Sequence, residues 1–293
     1  MNRQDFIKAA SLGTAGLFGY KMKAFEEWNK SGQLENSPTM PVFFVGHGNP
    51  MNAIMENDIT KGWREAAKGI EPKAILVVSA HWQTRGTMVT MTPEPETIHD
   101  FGGFPKALFD VQYPAPGSPE MARQVIDHMK NHTVEEDHEW GLDHGTWSVL
   151  IKMFPDADVP VFQLSLDYRM SPKEHYELAQ ELQFLRNKGV LIVGSGNIVH
   201  NLRKARWQDD QAYDWAKEFD VKTKELIESQ NHDQLVHYEK LGSDALLSIP
   251  TSEHYLPMLY TLALRTPKDK LEFFNESILM GSMSMRSFVI SNN

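Results

Sequence analysis

Four short runs along the chain are apolar from end to end and then turn polar. They are PVFFVGHG (41–48), KAILVVSAHW (73–82), VPVFQLSLD (159–167) and GVLIVGSGN (189–197). A strand with one face in water alternates apolar and polar residues. An unbroken apolar run fits a strand covered on both faces. Between these runs the apolar residues recur with a helical period. Residues 119–130 predict a helix with Ser118 as its cap and Pro119 in its first turn. Residues 172–187 predict a second helix after Ser171, and residues 211–229 a third. A short fourth runs from Tyr255 to Leu264, with Pro257 tolerated near its start. Strands alternating with helices predict a single α/β domain, whose central, mostly parallel or mixed sheet is covered by helices on both faces. Sites in such sheets form beyond the carboxyl ends of the strands.

The first 39 residues read differently. Residues 1–20 are a short charged start followed by a weakly apolar stretch of small residues, and 29–40 are polar with Gly and Pro. This is read as a leader and linker (1–39) ahead of a folded domain over 40–293. The leader resembles a degenerate twin-arginine export signal, because Gln4 follows Arg3 where a second Arg is needed. A cytoplasmic location is expected, and a periplasmic one if the leader works. No segment offers the ~20 apolar residues of a membrane span.

Composition narrows the chemistry. The 293 residues include no cysteine, which excludes disulfides, thiolate metal sites and cysteine nucleophiles. A net charge of −10 and the lack of a basic stripe argue against a nucleic-acid partner. A transition metal must be held by His, Asp or Glu, and there are 12 His. Three of them, His47, His81 and His200, each lie just past the end of an apolar run. His254 begins the last short helix, and His144 sits in a Gly-flanked stretch read as a loop. Neutral imidazoles gathered at strand ends suit a metal or acid–base centre. His128, His132, His138, His175, His232 and His237 lie on polar stretches and are expected at the surface. His99 stands apart, beside the aromatic, Gly-rich DFGGFP. GSGN (194–197) lacks the spacing of a phosphate loop.

Eight blocks together resemble the class III extradiol ring-cleavage dioxygenases, in the branch of 4,5-DOPA extradiol dioxygenase-like proteins. They are GHGNPMNAI (46–54), SAHW (79–82), HDFGGFP (99–105), YPAPGSPEMA (113–122), GLDHGTWSVL (141–150), PVFQLSLD (160–167), GSGNIVHNL (194–202) and SEHYLPMLY (252–260). The resemblance implies a non-haem metal enzyme that opens a catechol ring with O2. It implies His47 and His81 as metal ligands, with His254 as the third and Glu253 as the second choice. His200 is implied as an acid–base residue or a fourth ligand, and His144 as the second catalytic His. It implies one divalent ion, Fe(II) for ring cleavage, with Zn(II) expected in protein as isolated. Its partners would be a small catecholic substrate and O2. Asp143 is read either as orienting His144 or as a turn carboxylate. Trp82, Phe101 and Tyr168 are read as pocket walls or as core. A zinc hydrolase and a non-enzymatic metal-binding protein on the same scaffold stand as alternatives.

Overall fold

The four apolar runs form parallel strands of one sheet. A computed structural model describes residues 39–208 and 211–292, so the expected leader lies outside the described residues, all but Thr39. Strands β1 (Val42–Gly46), β2 (Ala74–Ser79), β3 (Val161–Gln163) and β4 (Val190–Gly196) are parallel, and every residue in them is buried. Two further strands, β5 (Lys270–Phe274) and β6 (Ser287–Ser291), extend the sheet antiparallel. The spatial order is β3-β2-β4-β1-β6-β5, so the sheet is mixed. The fifth strand is the half-exposed edge, and it carries Lys270 and Glu272. Charged side chains there discourage pairing with another chain.

Alternate residues of each strand serve opposite faces. Phe43, Val45, Ile75, Val77, Leu191 and Val193 join Trp63 and Trp147 in one core. Trp63 comes from helix α1 (Asp58–Ala67) and Trp147 from helix α3 (His144–Met153). On the other face lie the buried side chains of helices α4 (Pro172–Gln180) and α6 (Leu256–Ala263). Each such side chain contributes roughly 1.5–3 kcal/mol on burial. Helices α2 (Pro119–His128) and α5 (Asp214–Glu228) complete the set of longer helices.

Three helical readings need correction. Ser118 stands at the cap position of α2, but its hydroxyl is buried and caps nothing. The helix after Ser171 does not run unbroken to 187: a 3-10 turn over Glu181–Gln183 separates α4 from a last turn at Phe184–Asn187. Its start is as expected, with Ser171 and Glu174 capping each other's backbone. The largest difference is at His144, which is no loop residue. It is the first residue of α3, and the Asp143 side chain accepts the Thr146 N–H as the helix cap. The hydrophobic pattern hides this helix because nine of its ten residues are buried, leaving no polar face to set a period.

Candidate metal centre

The parallel strands deliver their histidines to one place. His47 follows β1 directly, His81 follows β2 by two residues and His200 follows β4 by four. His254 stands two residues before α6 and His144 opens α3. The strand ends are held close by small residues. A Cβ on Gly145 would fall 2.5 Å from Ser79 Oγ and 2.9 Å from the His81 ring, so only glycine lets α3 approach β2. A Cβ on Gly196 would meet the His254 carbonyl oxygen at 2.1 Å.

The rings of His47, His81 and His254 form a nearly equilateral triangle. Their centroids lie 5.0 Å (His47–His81), 5.0 Å (His81–His254) and 5.2 Å (His47–His254) apart. Imidazoles bound through about 2.0–2.1 Å bonds to one tetrahedral ion have centroids about 3.2 Å from it, hence about 5.2 Å from each other. The Nε2 atoms of His47 and His81 are 3.1 Å apart, and two such ligands of one ion sit about 2.9–3.4 Å apart. The residues present therefore fit a divalent transition metal. His144 breaks this symmetry, at 3.8 Å from the His81 ring and 5.8 Å from that of His47. His200 stacks flat on His254 at 3.5 Å and 6°. By donor-atom proximity alone the groups divide differently, into His47, His81 and His144, and into His200, Glu253 and His254. The ring triangle and the donor-atom grouping share His47 and His81 and differ in the third ligand, His254 or His144.

Each ring is fixed from its outer side. Ser195 Oγ donates its one proton to the Gly145 carbonyl, at 2.5 Å, so at 3.0 Å from His47 it accepts the Nδ1–H. That leaves a bare lone pair on His47 Nε2, facing inward. Glu253 Oε1 lies 3.3 Å from His254 Nδ1. Asp100 accepts both the backbone N–H and the Nδ1–H of His144 on Oδ1, each at 2.9 Å. Its Oδ2 is 3.5 Å from His81 Nδ1. Burial pushes the Asp100 carboxyl up, but the hydrogen bonds and charge of His144 outweigh it and hold the group below its ordinary range.

Burial and the mutual repulsion of neighbouring imidazoles hold the ring pKa values down. His47 and His254 fall well below 6.5. Burial is also the main cause at His81, lowered to about 3, and at His200, lowered to about 4. These four rings are neutral at pH 7, the form that binds metal. Asp143 is pushed up to about 6 by burial and by the Asp100 charge. It accepts from Ser79 Oγ at 2.6 Å, which in turn accepts the His81 backbone N–H at 3.2 Å. Asp143 is thus a helix cap and a brace for the strand end, and the carboxylate that grips His144 is Asp100.

Of the aromatic candidates, Phe101 meets the His144 ring edge-on at 5.5 Å. Trp82 is buried and stacks on Trp140. Tyr168 is 61 % exposed. His175, expected at the surface, is wholly buried, with Nδ1 2.8 Å from the Tyr260 hydroxyl. Sequence reasoning missed Asp100 and Ser195. Both fall inside family-like blocks, GSGNIVHNL and HDFGGFP, without being singled out there, and Asp100 lies 44 residues from its partner, too far for any periodic signal.

Fold and site together define an α/β protein with a mixed sheet and a candidate imidazole metal centre at the carboxyl ends of its parallel strands. Residues 38–284 match the family described as the catalytic LigB subunit of aromatic ring-opening dioxygenase. The chain is 46 % identical over 263 residues to a 4,5-DOPA dioxygenase extradiol of Escherichia coli (strain K12), covering 88 % of this chain and 97 % of that one. A 4,5-DOPA dioxygenase extradiol of Beta vulgaris is 36 % identical over 253 residues, covering 84 % and 94 %. A crystal structure of an uncharacterized protein from Escherichia coli K12 superposes with a TM-score of 0.75 at 41 % identity, covering 86 % and 100 %. The chain belongs to the LigB family of extradiol ring-opening dioxygenases. Among the described residues, no helix is long and apolar enough to cross a membrane.

Proposed function

We propose that the protein opens the ring of a DOPA-like catechol beside the diol, inserting both atoms of O2. His47, His81 and His254 hold one divalent ion, Fe(II) for turnover, and Zn(II) occupies the same imidazoles in isolated protein. The observation that carries this reading is the triangle of rings, with the Nε2 atoms of His47 and His81 3.1 Å apart on its inner side. Bound there, Fe(II) supplies Lewis acidity toward the catechol oxygens and an electron path to O2, whereas zinc supplies only the first.

The proton work falls to two side chains. His144 has its Nδ1–H committed to Asp100, so Nε2 is its free acceptor. A catechol proton taken there makes an imidazolium that the Asp100 carboxylate stabilises, the logic of a base held by an acid. His200, kept neutral by burial, stacks against His254 and offers a ring N–H to charge developing on oxygen. Phe101 forms an apolar wall beside His144, against which an aromatic ring packs. Residues 40–293 are the catalytic domain, and a chain lacking residues 1–39 retains turnover. The location is cytoplasmic.

Membership of a ring-opening family sets aside the zinc hydrolase and the inert binding protein. A panel of catechols mixed with Fe(II)-loaded protein tests the substrate. A yellow semialdehyde from DOPA, formed faster than from catechols lacking its side chain, is the expected result. Equal rates across the panel would remove the DOPA-like assignment.

A further inference from the structure

Asp100 lies in the family-like block HDFGGFP (99–105) but was given no role there, yet it approaches two of the five histidines. The loop that carries it is fixed in three places. The backbone of Glu96 and Ile98 pairs with Leu142, at 2.7 Å for both bonds. Trp147 Nε1 donates to the Ile98 carbonyl at 2.8 Å. His99 Nε2 lies 3.0 Å from the Val111 carbonyl. The pairing with Leu142 is close enough that a Cβ on Gly141 would fall 2.1 Å from the Glu96 oxygen. Asp100 therefore arrives beside His144 on a rigid support, with its side chain one-fifth exposed.

The consequence is chemical. A carboxylate can only accept hydrogen bonds, so an imidazole nitrogen facing it must carry the proton. At His144 both donors end on Oδ1 in hydrogen bonds; at His81 Nδ1 lies 3.5 Å from Oδ2, longer than a hydrogen bond, where the carboxylate charge favours a proton on that nitrogen. We infer that Asp100 is a positioning residue that fixes His144 and His81 together in the Nδ1–H tautomer. Both Nε2 lone pairs then point into the centre, one toward the metal and one toward the substrate proton. This rests on the roles proposed above. It adds that the ligand and the base share one carboxylate, so the two functions are set by a single side chain. Partners of this kind typically change metal affinity 10–100-fold when lost.

Substitution by asparagine separates the two contacts. The amide oxygen of Asp100→Asn still accepts both His144 donors, while its NH2 faces His81 Nδ1 and forces that nitrogen to become an acceptor. Long-range 1H–15N NMR of the metal-free full chain reads both tautomers. The wild type should show His81 and His144 as Nδ1–H. Asp100→Asn should keep His144 so and turn His81 to Nε2–H, with zinc affinity, measured against a chelator, lowered ~10–100-fold. Asp100→Ala should release both rings. His81 remaining Nδ1–H in Asp100→Asn, or zinc affinity unchanged there, would overturn the inference, and neither result depends on Asp100→Ala folding. A wild type with both rings Nδ1–H that binds no zinc would instead refute the metal centre and leave the tautomer control standing.

Discussion

His47 and His175 are both buried imidazoles, and their surroundings differ in one respect. His175 sits in α4, where Nδ1 meets the Tyr260 hydroxyl of α6 across the helix layer. Its pKa falls to about 4 through burial, just as burial lowers those of the strand-end rings. Depressed basicity therefore does not distinguish a site from a scaffold. Around His47 the outer nitrogens are held by Ser195, Asp100 and Glu253, while the Nε2 atoms of His47 and His81 face each other at 3.1 Å. Among the described residues only the strand-end groups gather three such donors. What separates the two is number and convergence: the His175 ring stands apart, its Nε2 buried without a partner, whereas the rings of His47, His81 and His254 converge at the strand ends.

Substitutions on the two sides of this contrast should behave differently. His81→Ala should give the largest effect. Metal content should fall to background and ring opening should be lost, with the far-ultraviolet circular dichroism unchanged, since His81 lies outside the apolar runs. Full metal content by elemental analysis would show that the triangle is not the metal site. Next comes His144→Ala, which should keep its metal and lose ~10²–10⁴-fold in turnover, the usual scale of acid–base catalysis. Wild-type turnover of a confirmed catechol would remove the residue from the chemistry.

Ser195→Ala should act more mildly. It frees the His47 ring from its outer hydrogen bond and should weaken zinc binding ~10–100-fold while turnover at saturating metal persists. His175→Phe should cost about 1–3 kcal/mol by leaving the Tyr260 hydroxyl unpartnered, with turnover per folded molecule unaffected. The same variant has a pH signature. The folded-state pKa of His175, about 4, lies below the unfolded value of about 6.5. Between those values the unfolded chain binds the extra proton, so stability falls as pH drops from about 6.5 toward 4. Urea unfolding of metal-free protein at pH 7 and pH 5 should show a smaller loss in the variant than in the wild type. An identical loss would mean that His175 is not depressed.

The contrast also marks how far the sequence could be read. Unbroken apolar runs made the doubly covered strands visible, and a His placed just past three of the four, at His47, His81 and His200, made the centre visible. The antiparallel edge was not legible, because the strand at Lys270–Phe274 mixes charge with aromatics. Helix α3 was hidden by being buried nearly all round, its polar residues included. What tunes the histidines was hidden for a different reason. Asp100 and His144 meet only because the segment at 96–98 pairs with Leu142, a contact set by the folded chain rather than by local spacing. Glu253 was considered as a ligand, and in the structure it lies against the Nδ1 side of His254.

The central claim is that His47, His81 and His254 share one ion, with His144 and His200 beside it. Anomalous diffraction at the zinc absorption edge, on crystals of zinc-loaded protein, tests this most directly. The account predicts one peak about 2.0–2.1 Å from a ring nitrogen of all three residues, and no such bond to His144. A peak bonded to His47, His81 and His144, with His254 free, would contradict it.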